Sequence, residues 1–198
     1  MSKTVFASKE NQMANAASSW KTLAELQTEI IHSAKRGYPI LIAAAGFFVV
    51  VAALSQVLPM RVLGLAWLFG MMIIFPSGVA IGYLLGVRVI TTDSPLGTLG
   101  GLVSGVQATY IPVFIVIYQF VPDYLPLAVG LLGGGHFLPY AWIYRSRAYW
   151  FVTLGICLSA LFFGIGFVST AYVAVPLSMA VVFAIGVFWI LAENRSHT

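Results

Sequence analysis

Between Pro39 and Leu191 the sequence is almost continuously apolar, and its few charged side chains fall between the apolar stretches. Of the 198 residues, 60% are hydrophobic and only 8% are charged, whereas soluble proteins average about 25% charged. A soluble domain of this length has too little interior to bury so much apolar surface. The pattern therefore predicts an integral membrane protein, with the lipid bilayer as its principal partner.

Membrane-spanning helices need about 20 mainly apolar residues each, and six stretches of this sequence qualify. The predicted fold is an all-α membrane protein, a six-transmembrane-helix bundle with a short amphipathic N-terminal interfacial helix. Pro139 follows a glycine triplet that begins at Gly133, which predicts that the fourth helix is broken. The predicted spans are residues 39–58, 62–87, 96–120, 125–143, 149–169 and 173–191.

Lysine and arginine are distributed unevenly between the two sides of the predicted bundle. If the N-terminus is cytoplasmic, only Arg61 lies on the opposite side. Because short cytoplasmic loops are enriched in Lys and Arg, we predict six passes with both termini in the cytoplasm. The basic excess is small and lies near helix ends, so it gives no indication of nucleic-acid binding. The cytoplasmic set is Lys3, Lys9, Lys21, Lys35, Arg36, Arg88, Arg145, Arg147 and Arg195.

The chain is predicted to divide into four segments, two of which precede the first span. In the second segment, apolar side chains recur at helical spacing opposite polar ones. This spacing predicts an amphipathic helix lying on the cytoplasmic interface, and docking to a partner protein is the alternative. The segments are a polar leader at 1–18, the amphipathic helix at 19–37, the transmembrane domain at 38–191 and a cytoplasmic tail at 192–198.

Glycines recur four positions apart in three predicted spans, which places them on one face of each helix. Small residues allow helix backbones to approach closely where lipid provides no hydrophobic force for association. Packing within the molecule is the favoured interpretation, and a homo-oligomer face is the alternative. The glycines are Gly78, Gly82 and Gly86 in the second span, Gly101 and Gly105 in the third, and Gly130 and Gly134 in the fourth.

The predicted spans contain a single histidine, His136, within a small polar cluster. His136, Tyr140 and Tyr144 share one face of the fourth span, and Gln107 and Tyr110 share one face of the third. Because the turn between these spans is short, we expect the two faces to oppose each other. A hydrogen-bonded network that orients the helices is the simpler interpretation. A solute-binding or proton-handling site is the alternative, since polar groups at bilayer depth are costly.

Charged side chains are absent from the predicted spans, and Cys157 is the single cysteine. Ion-coupled carriers usually place a carboxylate at membrane depth, and a metal site needs several ligands. No carboxylate accompanies His136 at a spacing that suggests acid–base catalysis. We therefore predict no metal, no cofactor and no catalytic residue.

Three sequence stretches resemble an uncharacterised family of bacterial multi-pass integral membrane proteins, described as a domain of unknown function. They are IFPSG beginning at Ile74, SPLG beginning at Ser94 with the glycine pair at 100–101, and HFLPYAWIYRSR from His136 to Arg147. The resemblance covers roughly residue 35 to the sixth span. It implies a protein of the bacterial cytoplasmic (inner) membrane, without an assigned activity.

Three functional hypotheses follow from these observations. The first is a passive channel or facilitator for a small neutral or weakly polar solute, lined by His136, Tyr140, Gln107 and Tyr110. It predicts a water-accessible cavity between the third and fourth helices. The second is a structural or regulatory subunit that binds another membrane protein through the leader helix and the glycine faces. The third, disfavoured because no acid–base pair is visible, is a membrane enzyme acting on a lipid-like substrate.

Overall fold

The computed structural model describes residues 21–196, and every regular element in that range is helical. The prediction of an all-helical protein with several long apolar helices is confirmed. The α-helices are α1 (Leu23–Ala34), α2 (Tyr38–Leu54), α3 (Met60–Leu84), α4 (Pro95–Gly105), α5 (Ile111–Phe120), α6 (Leu125–Gly135), α7 (Leu138–Ile143), α8 (Arg147–Gly166) and α9 (Ala171–Arg195). Short 3-10 segments lie at Lys35–Gly37, Val106–Tyr110, Pro122–Tyr124 and Val168–Thr170.

Within the described residues, five helical stretches are long and apolar enough to cross a membrane. The first of them joins α1 to α2, and the third joins α4 to α5. The predicted fourth span is not among the five, because it is divided between α6 and α7. The five stretches are Leu23–Leu54, Met60–Leu84, Pro95–Phe120, Arg147–Gly166 and Val168–Arg195.

The most closely packed part of the bundle consists of α2, α3, α6, α8 and α9. Phe48 of α2 stacks on Phe183 of α9, with ring centroids 5.9 Å apart, and meets the edge of Trp67 of α3 at 5.8 Å. Aromatic rings on the outward faces, such as Phe162 and Phe188, are exposed. Helices that are apolar on all sides are typical of proteins surrounded by lipid.

At one end of the bundle, a buried arginine lies in the corner between α1 and α2. Lys35, Arg36 and Gly37 all have left-handed backbone conformations, with φ of 47°, 57° and 65°. Arg36 is 1% exposed. Its Nε donates to Tyr144 O at 3.3 Å and lies 3.5 Å from Glu193 Oε2. This corner therefore links α1 and α2 to the ends of α7 and α9.

Further hydrogen bonds fix the same end of the molecule, called here the Arg36 end. Glu193 Oε1 accepts from the backbone N–H groups of Arg147 and Ala148 at 2.9 and 3.2 Å, which caps the start of α8. The backbone N–H of Arg88 donates to Ser33 O at 3.3 Å. Arg88 and Arg147 therefore lie at the Arg36 end.

The opposite end of the bundle is held by two tyrosine hydroxyls. Tyr118 donates to Arg61 O at 3.1 Å, and Tyr172 donates to Pro122 O at 2.8 Å. Arg61 thus lies at the far end of the bundle from Arg36, with the length of α3 between Arg61 and Arg88.

The amphipathic segment predicted at 19–37 lies partly outside the described residues, as does the whole of the leader at 1–18. The helix α1 begins after Thr22, whose hydroxyl accepts from the backbone N–H of Glu25 while the Glu25 carboxylate accepts from the backbone N–H of Thr22. Ile30 and Ala34 are buried, and the Gln27 amide donates to Trp142 O at 2.9 Å. The helix therefore packs against the bundle as well as presenting a polar face.

Candidate functional site

Two interrupted helices meet at the predicted polar cluster. The third span changes to a 3-10 segment at Val106–Tyr110, just before Pro112, and the fourth is interrupted at His136 and Phe137, just before Pro139. Proline has no N–H and cannot complete the α-helical bond to the residue four positions earlier. A proline thus accompanies each interruption, although Pro76 and Pro176 lie inside continuous helices. The Gln107 and His136 side chains meet at these interruptions within hydrogen-bonding distance.

His136 is held by one partner on its own helix and one on the third span. Its Nδ1 lies 2.7 Å from Gly133 O, and its Nε2 lies 2.9 Å from the Gln107 amide nitrogen. A carbonyl oxygen only accepts, so Nδ1 must carry the proton, and the unprotonated Nε2 accepts from Gln107. The amide nitrogen also lies 2.7 Å from Nδ1, but a protonated Nδ1 cannot accept from it. This arrangement fits a neutral imidazole.

Tyr140 makes the second link between the third and fourth spans. Its hydroxyl donates to Gly100 O at 2.6 Å and lies 2.6 Å from Ser104 Oγ, which then donates to it. Ser104 was not among the predicted site residues. Its position three residues before Gln107, on the same helical face, is the sequence signal that points to it.

The other two tyrosines of the predicted cluster occupy different places. Tyr144 belongs to a triangle of rings, with centroids 5.9 Å from Tyr140 and 5.7 Å from Tyr149, which are themselves 5.8 Å apart. Tyr110 does not reach His136. It meets the edge of Phe114 at 6.4 Å, because three residues of 3-10 helix carry it about 6 Å along the axis beyond Gln107.

Three adjoining cavities lie between the third span and the rest of the bundle. The central cavity, about 360 Å³, is lined by Gln107, His136 and Phe75 among others. On its Arg36 side it shares His136 and Phe75 with the tyrosine cavity, about 120 Å³, which Tyr140, Tyr144 and Tyr149 also line. On the other side it shares Gln107 and Phe75 with the Tyr110 cavity, about 250 Å³. No Asp, Glu, Lys or Arg lines these three cavities.

The predicted packing glycines fall into two groups. At Gly78, Gly82, Gly130 and Gly134 an added Cβ would overlap a neighbouring segment, which is the close approach expected of small residues. The remaining three glycines have no atom of another segment within 4 Å of an added Cβ. Gly86 has a φ of +67° and ends α3, so its role there is conformational. A Cβ at Gly101 or Gly105 would meet no atom within 4 Å, and both residues line the central cavity instead.

The third span packs loosely against the rest of the bundle. Of α4 only Leu96 is buried, and of α5 only Phe114. The cavities occupy the space that side-chain packing leaves between this span and the rest of the bundle. The hydrogen bonds of Gln107 and Tyr140 cross that space.

The described residues form an all-helical protein with several helices long and apolar enough to cross a membrane, which is compatible with a membrane protein. A model of the family of unknown function DUF7010 matches residues 23–193, and the chain belongs to that family. This agrees with the resemblance to an uncharacterised domain. No curated protein and no solved structure matches the chain.

Proposed function

We propose that this protein is a six-pass protein of the bacterial cytoplasmic membrane, with both termini in the cytoplasm, and that it acts as a passive facilitator for small neutral solutes. The observation that carries the proposal is the row of three uncharged cavities between the third span and the rest of the bundle, lined in part by the polar cluster.

The six-pass topology rests on counting α6 and α7 as one interrupted span. Residues 125–143 extend about 28 Å at roughly 1.5 Å per residue, close to the apolar thickness of a bilayer of about 30 Å. The cytoplasmic assignment of the Arg36 end rests on the gathering of basic residues there, with Arg61 at the other end.

A cysteine-labelling experiment tests this topology. In a Cys157→Ser background, Asp123→Cys and Arg147→Cys introduce exposed thiols before and after the interrupted span. In intact cells, we expect a membrane-impermeant maleimide to label the cysteine at 123 and to reach the one at 147 only after permeabilisation. Labelling of both in intact cells, or of neither, would contradict a fourth crossing. Labelling of the cysteine at 147 alone would show that the protein has the opposite orientation in the membrane.

The solute class follows from the walls of the cavities. An ion entering them would lose its water without meeting an opposite charge, which is prohibitively costly. Gln107, His136, Ser104 and Tyr140 instead offer neutral donors and acceptors, mostly paired with each other. A neutral solute can exchange these bonds at low cost, so passage needs no coupled ion.

Solute flux in proteoliposomes tests the proposed activity. We expect wild-type protein to raise glycerol or urea permeability severalfold above that of protein-free liposomes in stopped-flow light scattering. Gly133→Leu adds a side chain to the wall shared by the central and Tyr110 cavities and should remove most of that increase. Gly135→Leu is the matched control, because Gly135 lies in the same helix, lines none of the three cavities and also has open space at its Cβ. Equal permeability with and without wild-type protein would refute the proposal.

A further inference from the structure

The tyrosine cavity contains hydroxyl groups that the protein itself leaves without partners. Tyr144 is 7% exposed, yet its hydroxyl forms no hydrogen bond within residues 21–196. Thr91, 9% exposed, lines the same cavity, and its hydroxyl likewise has no hydrogen bond in that range. Neither hydroxyl oxygen is among the fully buried, unpaired side-chain atoms of the described residues, so both are accessible within the cavity, where a ligand hydroxyl can bond to them.

The corner glycine creates the space around the Tyr144 hydroxyl. Gly37 has a left-handed backbone, and a Cβ there would lie 3.4 Å from Tyr144 Oη and 3.3 Å from Tyr149 Oη. The Tyr149 hydroxyl is already engaged, since it donates to Arg36 O at 2.7 Å. The Tyr144 hydroxyl is therefore the free donor and acceptor at this end of the cavity.

The remaining walls are aromatic faces and small residues. The rings of Tyr140, Tyr144 and Tyr149 are stacked or tilted at centroid distances of 5.7–5.9 Å. Flat rings pack well against the C–H groups of a short carbon chain. The tyrosine cavity has a volume of about 120 Å³ and shares Gly101, His136 and Phe137 with the central cavity of about 360 Å³. A chain of three or four carbons can therefore extend from one cavity into the other.

We infer that the tyrosine cavity is the selective site of the pathway and that it takes small neutral polyols of three or four carbons. Polyol hydroxyls donate and accept as Tyr144 and Thr91 do, while the carbon chain lies against the tyrosine rings. The inference rests on the proposed facilitator function for its place in transport, but binding at this site is measurable without any flux.

A protection experiment tests the polyol site directly. Gly101→Cys, in a Cys157→Ser background, introduces a thiol into the wall shared by the tyrosine and central cavities, where a Cβ meets no atom within 4 Å. We expect glycerol and erythritol to slow its alkylation by iodoacetamide in nanodiscs, and urea at equal concentration to have no effect. Equal protection by urea, or none by the polyols, would overturn the inference.

Adding Tyr144→Phe identifies the hydroxyl responsible. Loss of one neutral hydrogen bond, worth about 1 kcal/mol, should raise the half-protecting polyol concentration about fivefold. Tyr172→Phe removes a hydroxyl that bonds Pro122 O outside the cavities and should leave that concentration unchanged. An unchanged concentration with Tyr144→Phe would refute the role of Tyr144. Protection without wild-type flux would retain the polyol site and refute the facilitator, whereas urea flux without polyol protection would do the reverse.

Discussion

Replacement of Arg36 by methionine should destabilise the protein strongly, because it removes the centre of the polar network at the Arg36 end. Methionine keeps an unbranched chain of similar length and so preserves much of the packing. The substitution leaves Tyr144 O and Asn194 Oδ1 without their donor and Glu193 without its cation. The change in stability therefore reports the loss of polar and charged partners and not a loss of side-chain volume.

The expected loss of unfolding free energy follows from the burial of the ion pair between Arg36 and Glu193. Removing one partner of a buried ion pair typically costs about 3–5 kcal/mol. The Arg36 side chain is 2% exposed, but that of Glu193 is 16% exposed and keeps the backbone donors of Arg147 and Ala148. The expected loss is therefore at the lower end, about 3 kcal/mol.

The assay is reversible unfolding in mixed micelles by titration with sodium dodecyl sulfate, followed by circular dichroism. Arg88→Met is the matched control, since Arg88 pairs with Asp93 at 2.8 Å while both side chains are more than two-thirds exposed. An exposed pair contributes less than about 1 kcal/mol. Equal losses for the two variants would refute the reasoning, because burial would then have no influence.

Four further substitutions test the arguments on packing, backbone conformation and hydrogen bonding. In the same unfolding titration, Gly130→Ala should destabilise the protein by about 1–3 kcal/mol, because the added Cβ would overlap Ala160. Gly105→Ala should stabilise the protein by up to about 1 kcal/mol, because its Cβ would meet open space. Lys35→Gly should stabilise the protein by about 0.5–1 kcal/mol, because glycine adopts the left-handed conformation of this position without strain. A loss of stability would show that Lys35 is not strained. Tyr140→Phe should speed amide hydrogen exchange in α4, which loses its bond at Gly100 O; unchanged exchange would show that other contacts hold the third span.

Much of the fold follows from local sequence features. Continuous apolar stretches predict the long helices, because lipid is the only solvent that accepts them. The glycine triplet and Pro139 predict an interruption of the fourth span, where the structure has one at His136 and Phe137. The approach of Gln107 to His136 has a similar local cause, since a short turn forces the third and fourth spans to run antiparallel.

Other features depend on contacts that sequence spacing does not reveal. Arg36 suggests a solvated charge at a helix end, and its burial depends on Glu193 and Asn194, far away in the chain. The open space next to Gly101 and Gly105 is also not predictable from sequence spacing. Helical spacing shows that two glycines share a face, but it does not show whether a neighbouring backbone lies against that face.

The most direct test of the central claim is whether water reaches the interface between the third and fourth spans. Single cysteines at Gly105 and Gly133, in a Cys157→Ser background, lie on the cavity walls, whereas one at Gly46 lies on the exposed apolar face of α2. All three positions have open space at the Cβ. Iodoacetamide, a small neutral reagent that reacts with the thiolate form of cysteine, should modify the cysteines at 105 and 133 in liposomes and leave that at 46 unmodified. Absence of modification at all three cysteines would contradict a hydrated pathway through this bundle.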